Sequence, residues 1–105
     1  MIEAMDRIQR FTKDLTFQGF AEHEMAQFAV MKCYEIIGEA AYHLSTNLKE
    51  RHPDVEWQKI QAFRHFLVHD YYRINLAILW NTKETKLRAL REELVAIRAG
   101  LDNTS

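Results

Sequence analysis

Residues 64–71 read Arg-His-Phe-Leu-Val-His-Asp-Tyr, which places an arginine, two histidines and a tyrosine within one short stretch. Arginine keeps its charge and presents a planar fork that matches phosphate oxygens. Histidine titrates near neutrality and so can accept or donate a proton at physiological pH. These are the groups that phosphodiester chemistry needs. Metal-free cleavage of RNA requires a base for the ribose 2′-hydroxyl, an acid for the departing 5′-oxygen and a cation against the phosphorane charge. Arg64 and His69 supply the cation and one proton-transfer group. The second group is missing from a single chain, and two copies related by a two-fold axis would provide it.

Spacing sets how these side chains can meet. On a regular helix Arg64 and His69 lie about 140° apart, and His69 and Tyr71 about 200° apart. They converge if regular helix ends within the cluster, or if a second copy faces it. Tyr71-Tyr72-Arg73, followed by a capping candidate at Asn75, favours an end. The cluster is then expected where one helix stops and the next begins, where unpaired backbone groups make a good site. Plainer readings stand beside this one. Arg64 can pair with a surface carboxylate, His69 can be a helix-end histidine, and Tyr71 and Tyr72 can be interface aromatics. His65 and His69, one turn apart, have the spacing of a zinc half-site. No third ligand is evident nearby, so no metal or other cofactor is expected.

The rest of the chain must position this cluster. Its 105 residues suit one domain over residues 1–105. Three glycines and one proline are few, which favours long helices over short strands and tight turns. A net charge of −1 excludes a global basic field, so nucleic acid would have to be held by a local cleft or by surfaces joined on oligomerisation. No apolar run approaches the ~18 residues of a membrane span, and the N-terminus has no apolar signal core. Cys33 is the single cysteine, which rules out an intrachain disulfide and fits a reducing cytoplasm. Its apolar surroundings suit a packed side chain better than a reactive thiol.

Met1, Met5, Ile8, Phe11 and Leu15 recur at helical steps and predict a first helix, followed by a turn or short helical segment around Gly19. Residues 21–47 carry a broad apolar arc that includes Met25, Phe28, Val30, Met31, Cys33, Ile36, Ile37, Ala40, Ala41 and Leu44, as expected for a helix with neighbours on more than one side. His52-Pro53-Asp54 breaks the pattern, and Asp54 is placed to cap a third helix bearing Val55, Ile60, Phe63 and Leu67. From Asn75 onward, Leu76, Leu79, Lys83, Leu87, Leu90, Leu94, Ile97 and Leu101 keep near-heptad spacing, with Gly100 as a stop signal. The expected architecture is an all-α, up-down bundle of four to five helices. Its unspent apolar faces point to a homodimer or larger homo-oligomer.

Arg64, four residues, His69, one residue, then Tyr71 resembles the Arg-x4-His-x-Tyr form of the HEPN ribonuclease motif found in HepT-like toxins. Flanking blocks resemble the same family in the same order: Ile36-Ile37-Gly38-Glu39-Ala40-Ala41, Arg51-His52-Pro53, Trp57, Leu67-Val68-His69 and Leu79-Trp80. The likeness extends from about Glu3 to Leu101. It implies an all-α HEPN bundle acting as the toxin of a type VII-like toxin–antitoxin pair, a metal-independent endoribonuclease with RNA as substrate. It also implies a minimal nucleotidyltransferase partner, the antitoxin, that silences the toxin by transferring AMP to the motif tyrosine. Carried onto this chain, Arg64 and His69 are the catalytic pair and Tyr71 the modified residue. The position after the motif arginine, commonly asparagine, is His65 here, which can still hydrogen-bond or serve as an auxiliary acid. Asp70 is a further auxiliary candidate. Glu39, polar within the apolar second helix, either faces the site and orients Arg64 or His69, or lies on the exposed edge of its helix. The alternative function is a non-catalytic helical subunit that presents nucleotide or substrate to a nucleotidyltransferase. A purely structural helical dimer is a third.

Overall fold

The computed structural model describes residues 1–104, with side chains through Leu101. Among the described residues every regular element is helical. Helix α1 (Ile2–Thr12) buries Ala4, Met5, Ile8 and Thr12 at helical spacing. The Thr12 hydroxyl bonds back to the Ile8 carbonyl at 2.8 Å, which satisfies a carbonyl of the last turn. The segment expected around Gly19 is the short helix α2 (Phe17–Ala21), where the Thr16 hydroxyl accepts from the Gly19 N–H at 3.1 Å. Its Phe20 is fully buried and packs on Trp80 at 5.4 Å between ring centres.

Helix α3 (Glu24–His43) is the spine. It packs against both α1 and helix α5 (Trp57–Asp70), which fits the broad apolar arc read from its sequence. Ala26, Val30, Cys33, Ile37 and Ala41 form one buried row, and Met31, Tyr34 and Gly38 a second. Tyr34 meets Phe63 of α5 edge-on at 5.3 Å, and its hydroxyl donates to the Leu79 carbonyl at 3.1 Å, so one side chain links three helices. A Cβ built on Gly38 would overlap the Arg64 Cβ and lie 3.2 Å from the Ile60 carbonyl. The missing side chain is therefore what allows α3 and α5 their close approach at this point.

Several boundaries differ from expectation. The second long helix stops at His43 rather than running to residue 47, because Leu44 is extended and Ser45 caps a separate helix α4 (Thr46–Arg51). Asp54 does not cap α5; Glu56 occupies that position without a side-chain hydrogen bond. Val55 is instead buried in the preceding turn, which the Trp57 indole closes by donating to the His52 carbonyl at 3.0 Å. Gly100 does not stop the last helix. It keeps an ordinary negative φ and meets no neighbour, so it supplies no left-handed cap. Asn75 does cap, accepting from the Ala77 N–H at 2.8 Å at the start of α6 (Leu76–Thr82). Beyond α6 the same rod passes through a π-helical turn, Lys83–Leu87, into α7 (Arg88–Thr104).

The π turn gives Lys83 an unusual place for a lysine. It occupies a seam position and is buried, its ammonium 3.9 Å above the Trp80 ring and 2.7 Å from Glu84. Asp6 of α1 accepts from Arg91 of α7 at 2.7 and 3.3 Å, which lashes the last helix to the first and holds the Asp6 carboxyl below its ordinary pKa. The long helices thus form the expected bundle in the order α5–α3–α1–α7. The bundle is not fully closed: a cleft of about 420 Å³ lies between α5 and the α6–α7 rod, floored by Tyr34, Ile37, Ile60, Phe63 and Leu90. The shape is a slab of 46 × 28 × 18 Å.

Candidate functional site

Helix α5 carries the charged cluster, and the buried Leu67 orients it. With Leu67 directed into the core, Arg64 lies about 60° away around the helix, Val68 about 100°, His65 about 160° and His69 about 200°. These four side chains form one continuous arc on the outward face, bracketed by the packed edge of the helix. His65, Val68 and His69 are exposed and Arg64 is partly so.

The expected helix end falls later than the cluster's geometry required. Regular helix continues through Asp70, so Arg64 and His69 remain about 140° and roughly 7.5 Å of axial rise apart, and no chain break draws them together. Tyr71 alone of the motif lies beyond the end, in the tight 3-10 turn Tyr71–Arg73 that the Ile74 N–H closes on the Tyr71 carbonyl at 3.1 Å. That turn carries the Tyr71 ring back against Phe28 of α3 at 6.1 Å and sets Tyr72 edge-on to it at 6.0 Å. All three rings stay substantially exposed, Tyr71 at 47% and Tyr72 at 72%.

Arg64 is held from α3. Glu39 Oε2 lies 2.6 Å from Arg64 Nη2, while Glu39 Oε1 is 3.1 Å from His43 Nε2. Glu39 therefore stands on the exposed edge of its helix and is ion-paired with Arg64. It makes no such contact with His69. A pair this exposed contributes only about 0–1 kcal/mol to stability, so its effect is on the direction of the guanidinium. Among the described residues the Arg64 guanidinium has no other ion pair. The His65 and His69 rings stand 4.4 Å apart, tilted by 53°. Asp70 makes no capping hydrogen bond. Among the described residues no group of three or more histidine, cysteine or carboxylate side chains is placed to hold a metal ion.

Three contributors were not singled out for the site by sequence reading. His43 was legible as the residue four beyond Glu39, and Gly38 as a small residue beside the one carboxylate in an apolar stretch. Phe28 gave no local signal, since its partner Tyr71 lies over forty residues away and only the fold joins them.

The fold is all-helical and displays an arginine, two histidines and a tyrosine around the end of one helix, side chains whose chemistry suits a phosphodiester. Residues 1–97 match the ribonuclease HepT-like family, and the chain belongs to that family. It is 31% identical over 96 residues to the "Probable ribonuclease HepT" of Thermococcus cleftensis, spanning 91% of this chain and 87% of that protein. It is also similar to two proteins of Methanocaldococcus jannaschii. "Putative RNase MJ1380" is 29% identical over 94 residues, covering 90% of this chain and 86% of its own length. "Putative RNase MJ0127" is 36% identical over 81 residues, covering 77% and 67% respectively. No solved structure matches the chain.

Proposed function

We propose that this protein is a metal-independent endoribonuclease toxin whose catalytic groups are Arg64 and His69. The observation that carries the reading is the outward arc of α5, with Arg64 aimed by Glu39 and His69 exposed one face further round, in a chain of a ribonuclease family. His69 in its neutral form takes the proton of the ribose 2′-hydroxyl, whose oxygen attacks the adjacent phosphorus. Arg64 stabilises the charge that develops on the phosphorane oxygens. The P–O5′ bond then breaks, and a protonated imidazole supplies the proton to the leaving oxygen. The products are a 2′,3′-cyclic phosphate and a 5′-hydroxyl end.

One chain supplies one such pair, held about 140° apart, so the acid comes from a second copy. The exposed stripe of Met25, Phe28 and Ile36 on α3, with Val68, Tyr71 and Tyr72 beside the motif, supports pairing through this face. Tyr71 stands half-exposed at the rim of the same face, where a nucleotidyltransferase antitoxin can reach it. Attaching AMP there adds negative charge and an adenosine to the phosphate path, which excludes RNA by repulsion and by occupancy.

The test is expression in bacteria followed by cleavage of total RNA with purified protein. Wild type arrests growth and cuts RNA in the presence of EDTA, leaving cyclic phosphate ends; Arg64→Ala and His69→Ala each reduce the rate by about 10²-fold or more while the helical signal is kept. Full-rate cleavage by His69→Ala would remove His69 from the mechanism. Folded wild-type protein that neither arrests growth nor cuts RNA would favour the non-catalytic helper of a nucleotidyltransferase.

A further inference from the structure

The carboxylate of Glu39 is divided between two partners, and the cleavage reading uses only one of them. Its Oε2 lies 2.6 Å from Arg64 Nη2 on α5, and its Oε1 lies 3.1 Å from Nε2 of His43, one turn further along α3. An ionised carboxylate only accepts hydrogen bonds, so the His43 nitrogen is the donor. The imidazole is braced in turn by the Tyr42 ring, which meets it edge-on at 5.3 Å. The stem of Arg64 packs against α3 at Gly38, where an added Cβ would lie 2.9 Å from Arg64 Cγ. Glu39 therefore faces a guanidinium that is anchored at its root.

Arginine and a carboxylate left to themselves often close into a fork, with two parallel N–H···O bonds that use both oxygens and two nitrogens. A fork here would take a second Arg64 nitrogen out of reach of a phosphate. In this structure one Glu39 oxygen is engaged by His43, and the ion pair runs through a single nitrogen. We propose that His43 is a positioning residue for the nuclease: by holding Oε1 of Glu39, it keeps the carboxylate from forking onto Arg64. Glu39 then aims the guanidinium while the rest of its N–H groups stay available to the phosphorane. The kinetic half of this inference rests on the cleavage reading above; the structural half does not. His43 touches no substrate, and its whole effect passes through Glu39.

A double-mutant cycle on His43 and Glu39 tests this, with crystal structures beside the kinetics. His43→Ala is expected to lower kcat/KM for RNA cleavage by about threefold to tenfold. His43→Gln, whose amide can donate to Glu39 across the same turn, recovers most of that loss. In a Glu39→Gln background the carboxylate fork cannot form, and adding His43→Ala changes the rate by less than about twofold. Crystals of His43→Ala are expected to show both Glu39 oxygens on Arg64, and crystals of wild type the divided carboxylate. An equal loss from His43→Ala with and without Glu39 overturns the proposal, because the effect would then bypass the carboxylate. So does a wild-type rate in His43→Ala, or a Glu39 that stays on one nitrogen in its crystals. Wild-type protein that cuts no RNA sinks the cleavage reading alone, and the crystals still decide whether His43 holds Glu39 off Arg64.

Discussion

At the scale of single residues, Arg64 and Tyr34 show how surroundings set a side chain's role. Arg64 shares one nitrogen with Glu39 and offers the rest of a planar fork outward. Arg64→Lys keeps the charge and loses the fork, so cleavage is expected to fall about 10-fold to 100-fold, between wild type and Arg64→Ala, as measured by the initial rate on total RNA. Tyr34 is the opposite case, a buried phenol. Burial pushes its pKa well above the ordinary phenol value, so the folded protein keeps the proton at a pH where the unfolded chain has lost it. Its contribution to stability is whole below about pH 10 and is lost as pH rises beyond that. Urea midpoints measured from about pH 8 to 11 are expected to fall in wild type and to fall less steeply in Tyr34→Phe. At neutral pH the same variant loses the hydrogen bond to the Leu79 carbonyl, at about 0.5–1.5 kcal/mol.

At the scale of elements, the decisive contact is α3 against α5. At Gly38 the two helices approach closely, and the atoms it makes room for belong chiefly to Arg64. Within a helix, glycine to alanine ordinarily stabilises by up to about 1 kcal/mol. Here the added methyl group meets a Cβ and a backbone carbonyl, neither of which can swing away. Gly38→Ala is therefore expected to destabilise by about 1–3 kcal/mol in urea and to lower cleavage by displacing Arg64 from Glu39. A stabilised Gly38→Ala protein would show that the helices can part without cost. The element scale also explains the boundary errors of sequence reading. Ser45, Val55 and Gly100 each have the residue types of more than one local structure. The outcome was set by an extended Leu44 ahead of the Ser45 cap, by burial of Val55 and Trp57, and by empty space at Gly100.

At the scale of the whole molecule, one face of α3 stays uncovered, and it borders Arg64 through Glu39 and Tyr71 through Phe28. In the proposed dimer, pairing through that face would bring two incomplete sites into one. Refolding wild type together with an excess of His69→Ala protein is then expected to lower the cleavage given by that amount of wild type, because a mixed dimer holds one His69 where base and acid need two. Cleavage that stays in proportion to the wild-type chains present would place the whole site within one protomer. The helical class, the long periodic segments, the Asn75 cap and the identity of the motif residues were all legible in the chain, because helical spacing and capping chemistry are local properties. The neighbours of the motif were not. Glu39 beside Arg64, Phe28 beside Tyr71, the close approach at Gly38 and the buried Lys83 each join residues through packing or an irregular turn. Such pairings depend on how far one helix slides and rotates against another, which no local pattern of residues specifies.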